Sequence, residues 1–263
     1  MFKIEYLVGY CSDIGAVKKV NQDSLCIKIG KYFDKNIVMS ILCDGLGGLK
    51  KGELASGTVI SAFSEWFEKE LPLLLDEPLD TVMKKCELMI KNLNTMIFNY
   101  GKTNGYQLGT TISGVLIWHT QDVIVLNAGD TRVYTVKEKL EQITEDHTFV
   151  ALKVKKGIIS ENEAANDSQR NVLTQCIGGA EKISPQIIRL NNNYEKFLLC
   201  TDGFRNKITE DEIFNIITNT YICDESDINN MLKRLTELNM LRGESDNISA
   251  VYIIKKNLET HYG

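Results

Sequence analysis

Twice in this chain an apolar stretch of strand length runs into an aspartate followed by glycine, and a helical pattern comes next. Ile37 to Leu42 leads into Cys43-Asp44-Gly45-Leu46-Gly47-Gly48, and Glu53 to Leu75 then carries Val59, Phe63, Trp66 and Phe67 at helical spacing. Glu195 to Cys200 leads into Thr201-Asp202-Gly203-Phe204. A helix from about Thr209 to Thr218 follows, opened by the capping box Thr209-Glu210-Asp211-Glu212. Each aspartate therefore sits at the end of a buried strand. Glycine permits positive φ and lets a ligand come close to the backbone. At the first of the two junctions the Asp44 carboxylate and the bare carbonyl of Gly45 could together hold a hard cation. A strand-to-helix turn with an aspartate cap is the alternative.

Other acidic strand ends bear on that choice. Asn21-Gln22-Asp23-Ser24 precedes a strand over Leu25 to Ile29, and Gly243-Glu244-Ser245-Asp246-Asn247 precedes the last strand, Ile248 to Ile254. Four aspartates, Asp23, Asp44, Asp202 and Asp246, thus border apolar strands, and Asp130 in Gly129-Asp130-Thr131-Arg132 makes a fifth. Strand ends of a layered fold can gather at one edge, where carboxylates distant in sequence meet. Gathered carboxylates repel unless cations neutralise them. The three histidines, His119, His147 and His261, are too scattered for a zinc site. Oxygen ligands select Mg²⁺ or Mn²⁺. Two such ions ~3.5–4 Å apart can ionise a bridging water for in-line attack on phosphorus.

The rest of the chain supplies layers. Phe2 to Tyr10 predicts a strand, Cys11 to Gly15 a turn, and Ala16 to Val20 carries Lys18 and Lys19, which strand alternation puts on opposite faces. Lys35 to Cys43 is the third strand. Leu79 to Tyr100 is a second long helix with one apolar stripe, core in preference to a cofactor box, and Pro72 and Pro78 bracket the break before it. Ile112 to Trp118, Val123 to Ala128, Val133 to Val136 and Leu140 to Ile143 read as an antiparallel meander. Its turns fall at His119-Thr120-Gln121-Asp122 and Lys137-Glu138-Lys139. Thr144 to Thr148 opens a segment of different character, with short helices over Phe149 to Lys156 and Ser160 to Ala165, expected to be a mobile cover. His147 is read as a capping or core histidine in preference to a general base, and Arg132 as the partner of an acid. Ile183 to Leu190 and Glu195 to Cys200 are strands joined by Asn191-Asn192-Asn193. Asp224 to Leu241 is a further helix, and the tail Lys255 to Gly263 is expected to fray.

The 263 residues, 43% hydrophobic and 25% charged, with three prolines and no linker-like stretch or repeat, predict one domain over 1–263. A net charge of −5 without a basic stripe argues against nucleic acid. No N-terminal signal is visible, and the apolar runs fall far short of a membrane span. Seven cysteines without a CxxC pair fit free thiols in a reducing cytosol.

Eight stretches in order complete the pattern: SDIGAVKKVNQDS, CDGLGGLKKGELAS, LGTTISGVLI, NAGDTRVYTV, TEDHT, NVLTQCIGG, LLCTDGFRN and SDNISAVYI. From about Val8 to Ile254 the chain resembles the metal-dependent protein phosphatases of the PPM family, protein phosphatase 2C type, in their compact bacterial form. The resemblance implies an α+β fold, a four-layer α/β/β/α sandwich of two antiparallel sheets flanked by helix pairs, with the metal site at one edge. It implies that Asp44 bridges two Mn²⁺ or Mg²⁺ ions. Asp202 and Asp246 would complete one site, and Asp23 with the Gly45 carbonyl the other. Asp130 with Asp202 would bind a weaker third ion. It implies a flap over 148–170, phosphoserine and phosphothreonine in proteins as substrates, and a metal-bridging water as nucleophile without a phosphoenzyme. The expected enzyme is a cytoplasmic monomer that opposes a cytosolic Ser/Thr kinase.

Two positions depart from the family pattern. Where the family carries an arginine five residues before the first metal-site aspartate, to grip the substrate phosphate, this chain has Lys18, a point charge without the bidentate fork. Where animal-type relatives place a histidine after the Asp-Gly pair, this chain has Leu46, which leaves the leaving-group proton to a metal-bound water. Two further readings stand beside the phosphatase: a catalytically silent relative that senses or scaffolds, and a hydrolase of small phosphoesters.

Overall fold

The computed structural model describes residues 3–33, 35–46, 51–118, 122–190 and 194–258. Among the described residues ten strands form two five-stranded sheets, and every pairing between them is antiparallel. One sheet runs in the order β1 (Lys3–Asp13), β10 (Ile248–Leu258), β9 (Lys196–Cys200), β6 (Arg132–Val136), β7 (Leu140–Gln142). The other runs β2 (Ser24–Tyr32), β3 (Lys35–Cys43), β4 (Ile112–Trp118), β5 (Asp122–Ala128), β8 (Gln186–Leu190).

Strand β3 shows why its sequence is apolar almost without interruption. Ile37, Met39, Ile41 and Cys43 face one way, into a core shared with α1 (Gly52–Lys69) and α2 (Leu79–Asn104). Val38 and Leu42 face the other way, onto Val8, Phe197, Leu199, Val251 and Ile253 of the opposite sheet. A strand covered on both faces needs apolar residues at both parities. On the far side of the first sheet, Tyr134, Leu198, Ala250 and Tyr252 pack on α5 (Asp202–Arg205), α6 (Glu210–Asn219) and α7 (Glu225–Leu241). Three apolar cores thus separate four layers, helices on sheet on sheet on helices. No helix among the described residues is long and apolar enough to cross a membrane.

Several elements differ from the expectations. The first helix stops at Lys69 and hands over to a 3₁₀ turn, Leu71–Leu74, because Pro72 cannot continue the α-helical ladder. The second runs on to Asn104, where Gly105 at φ 71° closes it. Strand β1 includes Cys11, Ser12 and Asp13 in place of the expected turn, since all three pair with Ala250, Ser249 and Ile248. Strand β10 continues to Leu258 instead of fraying from Lys255. The expected meander is divided: β4 and β5 pair, but β6 joins β9 and β7 in the other sheet. Likewise β8 and β9 lie in different sheets and do not pair with each other. The stretches His119-Thr120-Gln121, Asn191-Asn192-Asn193, Gly47-Gly48 and 259–263 lie outside the described residues. The capping box at Thr209 and Glu212 and the two short helices, α3 (Phe149–Lys155) and α4 (Glu161–Asn166), stand where the sequence puts them.

The seat of α7 on β1 rests on a missing side chain. A methyl group at Gly9 would overlap Ile228 and come within 2.8 Å of Asn229 Oδ1, which accepts a hydrogen bond from the Tyr10 N–H at 2.7 Å. Gly9→Ala is expected to cost about 1–3 kcal/mol of unfolding free energy by overpacking. Gly57→Ala in α1, where nothing lies within 4 Å, is expected to be neutral or to stabilise by about 0.5–1 kcal/mol. Urea unfolding of both variants checks the pair; equal effects would mean that α7 is not held this closely.

Candidate metal centre

Antiparallel pairing sets the end of one strand beside the start of the next. Ser24 opposes Cys43, so Asp23, just before β2, stands beside Asp44, just after β3. Cys200 opposes Ala250, so Asp202, just after β9, stands near Asp246, just before β10. The apolar core between the sheets stacks these two pairs at one end of the sandwich. Thr201 crosses the gap: its hydroxyl donates to Asp23 Oδ2 at 3.3 Å. Asp130 lies on the short link that carries the chain from β5 in one sheet to β6 in the other.

The Asp44 backbone is fixed from behind. Its N–H donates to Thr111 Oγ1 at 2.9 Å, and its carbonyl accepts from the Thr111 N–H and from Thr110 Oγ1, each at 2.8 Å. The Thr111 and Thr131 hydroxyls bond each other at 2.6 Å, and Ser113 Oγ donates to the Thr131 carbonyl and to Asn127 Oδ1. Thr110, Thr111, Ser113, Asn127 and Thr131 are all buried, and their polar groups are satisfied by one another and by backbone. Gly45 donates to the Gln22 carbonyl at 3.1 Å and packs backbone to backbone on Gly52; a methyl group there would sit 2.5 Å from both Gln22 O and Gly52 O. The residue is glycine for lack of room and not for positive φ.

The carboxylates feel one another. Burial, then the charges of Asp23, Asp202, Asp130 and Asp246, push Asp44 well above the usual carboxylate range. Asp23, only 7% exposed, is lifted to about 7 by burial and by Asp202 and Asp246, against hydrogen bonds from Ser249 and Thr201. Asp130 is also lifted to about 7, by burial and by Asp202, with Arg205 opposing. Asp202 is raised by burial, with Arg205 again opposing and Asp246 and Glu244 adding to the rise. Asp23 Oδ1 is buried with no hydrogen-bond partner. Among the described residues no three acidic, histidine or cysteine side chains close on one point as a ready cage. Like charges hold apart, and one of them is already engaged: Lys18 Nζ pairs with Asp246 Oδ1 at 2.8 Å. An all-oxygen donor set with an orphaned buried carboxylate oxygen fits a hard divalent cation.

All seven expected residues, Lys18, Asp23, Asp44, Gly45, Asp130, Asp202 and Asp246, come to this end of the sandwich or to the loops that border it. Lys18 and Lys19 do not alternate across a strand as expected, because residues 14–23 are turn and irregular chain; Lys18 is half-buried against Asp246 and Lys19 is exposed. The sequence did not single out Arg205, whose guanidinium donates to the Asp130 carbonyl at 3.0 Å, nor Glu244. Glu244 is 5% exposed, and its Oε1 accepts from the Ser245 and Asp246 N–H groups at 2.7 and 2.9 Å. Spacing could have found Glu244, two residues before Asp246; nothing marked Arg205. His147 is half-buried and accepts from the Gly129 N–H at Nδ1, a structural role as expected. Arg132 holds Asp146 through Nε and Nη2, the latter at 2.7 Å.

These charges have a stability consequence. Asp23 titrates near 7 in the folded protein and near 4 unfolded, so the folded state holds the extra proton between those values, and its stability falls as pH rises across that window. In metal-free protein Asp23→Asn is therefore expected to raise Tm at pH 8 by about 2–8 °C and to change it little at pH 4. Calorimetric scans at the two values test this; a larger gain at pH 4 would contradict the burial of an unpaired charge.

The protein phosphatase 2C family profile matches residues 16–238. A protein phosphatase 2C-type protein of Streptococcus pyogenes is 31% identical over 92% of this chain and 94% of its own length. The crystal structure of the serine/threonine phosphatase Stp1 from Staphylococcus aureus superposes with a TM-score of 0.83 at 27% identity, covering 97% of this chain and 95% of its own. The catalytic domain of the serine/threonine protein phosphatase PstP, solved in complex with two manganese ions, gives 0.75 at 25% identity over 97% and 99%. The stacked sheets and the flanking helices are those of this group, and the chain belongs to the protein phosphatase 2C family.

Proposed function

We propose that this protein is a metal-dependent serine/threonine protein phosphatase, which removes phosphate from phosphoserine and phosphothreonine in proteins with two Mn²⁺ or Mg²⁺ ions. The observation that carries this is the convergence of Asp23, Asp44, Asp202 and Asp246, brought from four strand ends in two sheets to one end of the sandwich. Asp44 would serve both ions, Asp202 and Asp246 one of them, and Asp23 with the Gly45 carbonyl the other. Asp130 and Asp202 would take a third, weaker ion; Arg205, already opposing the charge of both, gives a reason for the weakness. When bound, such a pair of cations neutralises the cluster and supplies the Lewis acidity that makes water a nucleophile toward phosphorus.

The chain's own residues supply the rest. The threonine and asparagine groups behind Asp44 hold its backbone rigid, which keeps a reacting phosphate in line. Lys18 brings a unit charge and three donors to a phosphate, without a fork. The segment 148–170 is the expected flap. It is tied at its base by the Phe149 N–H to the Val172 carbonyl, and internally by Lys153 to Asp167 at 2.9 Å. Its charged surface suits the choice among phosphoproteins. The cytoplasm is the proposed location, with substrates of a Ser/Thr kinase as partners.

Phosphopeptide hydrolysis with and without Mn²⁺ tests the assignment: EDTA should abolish turnover and Mn²⁺ restore it, and full activity in metal-free protein would sink it. Asp44→Asn should lower kcat by several orders of magnitude and weaken both ions in calorimetry. Asp130→Ala should slow turnover with two ions still bound. Removal of residues 159–167 should change discrimination between phosphoproteins more than the rate on a small aryl phosphate; equal losses would count against a flap role.

A further inference from the structure

Lys18 does not reach the site by chance of rotamer. Its loop, residues 14–22, is fastened to the turn that carries Asp246. Asn247 Nδ2 donates to the Ile14 and Val20 carbonyls at 2.9 and 3.1 Å, and Asn247 Oδ1 accepts from the Gln22 N–H at 2.9 Å. Gly15, at φ 75°, lies so close to the Asp246 carbonyl that a side chain would strike it. From this anchored loop the Lys18 ammonium pairs with Asp246 Oδ1 at 2.8 Å, with 33% and 42% of the two side chains exposed. Burial opposes the ammonium charge. The pairing with Asp246, with Asp44 and Asp202 beyond it, outweighs burial and holds Lys18 above the usual lysine value. The three carboxylates that act on Lys18 are the three assigned above to one metal ion.

We infer that Lys18 is the resident counter-cation of the centre and sets its metal affinity: its ammonium competes with a divalent ion for the Asp246 carboxylate, and once displaced it becomes free to hold the substrate's phosphate. The inference rests on the assignment of Asp246 as a metal ligand. It links the two ligands in one direction. Metal that displaces Lys18 prepares the phosphate site, while Lys18 on Asp246 weakens the metal. A lysine suits this exchange, because a compact ammonium on a flexible stem gives up one carboxylate readily, whereas an arginine fork can hold both carboxylate oxygens.

The test is calorimetric titration of Mn²⁺ into metal-free wild type, Lys18→Met, Lys18→Arg and Asp246→Asn, with unbound Mn²⁺ counted by electron paramagnetic resonance. Lys18→Met is expected to tighten one of the two core ions about three- to tenfold, from the loss of an exposed ion pair and of a cation facing a dication. The gain should shrink at high salt. The same variant should raise KM for a phosphopeptide, so the two ligands move in opposite directions; a merely structural defect would weaken both. Lys18→Arg should not tighten the ion. Unchanged or weaker Mn²⁺ binding in Lys18→Met, with Asp246→Asn losing a site, overturns the counter-cation role alone. Wild-type Mn²⁺ affinity and stoichiometry in Asp246→Asn would instead overturn the ligand assignment beneath it.

Discussion

Repulsion among Asp23, Asp44, Asp130, Asp202 and Asp246 is the constraint to which the rest of this molecule answers. Two unit charges about 5 Å apart at an effective dielectric constant near 20 repel by about 3 kcal/mol. A protein of this kind is stable by roughly 5–15 kcal/mol in all. A handful of such pairs would unfold it unless the strand ends were held by something stronger. What holds them is the apolar core between the sheets, where Val38, Leu42 and Val115 meet Leu199, Val251 and Ile253, all fully buried. Two cations of the chain itself, Arg205 beside Asp130 and Asp202 and Lys18 on Asp246, relieve part of the remainder.

The same constraint explains residues that bind nothing. Near the acidic end the space behind Asp44 gives up hydrocarbon for Thr110, Thr111, Ser113, Asn127 and Thr131, whose hydroxyls and amide are bonded to one another and to backbone. Asn127 Nδ2 also reaches the Glu145 carbonyl at 2.9 Å. A buried polar network is costly when half satisfied and rigid when fully satisfied. Here it fixes the backbone of an aspartate that would otherwise move away from its neighbours. The motifs LGTT and NAGDT therefore read as supports for Asp44, and Asp130 is the one acidic residue within the two motifs.

Much of this was legible in the sequence. Apolar runs that stop at an aspartate mark strand ends whatever the topology, so the acidic edge could be read from Asp23, Asp44, Asp202 and Asp246 without knowing which sheet held each. Sheet membership could not be read from the residues. Period-two patterning tells which face of a strand is buried, not which strand lies beside it. The three residues Gly129, Asp130 and Thr131 between β5 and β6 look like a hairpin turn, yet they carry the chain from one sheet to the other. The polar end of β1 was missed for a similar reason. It is an edge strand, and Cys11, Ser12 and Asp13 pair with β10 through backbone groups that every sequence has. Arg205 was invisible because α5 is a single turn of helix, too short to show a period.

The link at Gly129 also ties the acidic edge to the helical segment that follows it. The Gly129 N–H donates to His147 Nδ1, its carbonyl accepts from the His147 N–H at 2.9 Å, and the His147 carbonyl accepts from the Thr174 N–H at 2.8 Å. One residue earlier, Asp146 is gripped by Arg132 at the start of β6, and Arg132 Nη1 donates to the Tyr134 hydroxyl, which donates in turn to Glu210. Burial opposes the Asp146 charge, but Arg132 prevails and keeps its carboxyl below the usual value. Such a buried pair adds little net stability over an apolar substitute, while loss of one partner is expensive, so its effect is to forbid alternatives. Both ends of the segment 148–170 are thereby fixed to the turn that bears Asp130: one through His147 itself, the other through Thr174. A segment anchored in this way can vary its exposed helices α3 and α4 without disturbing the carboxylates, because the strain of any change there meets His147 and Arg132 before it meets Asp130.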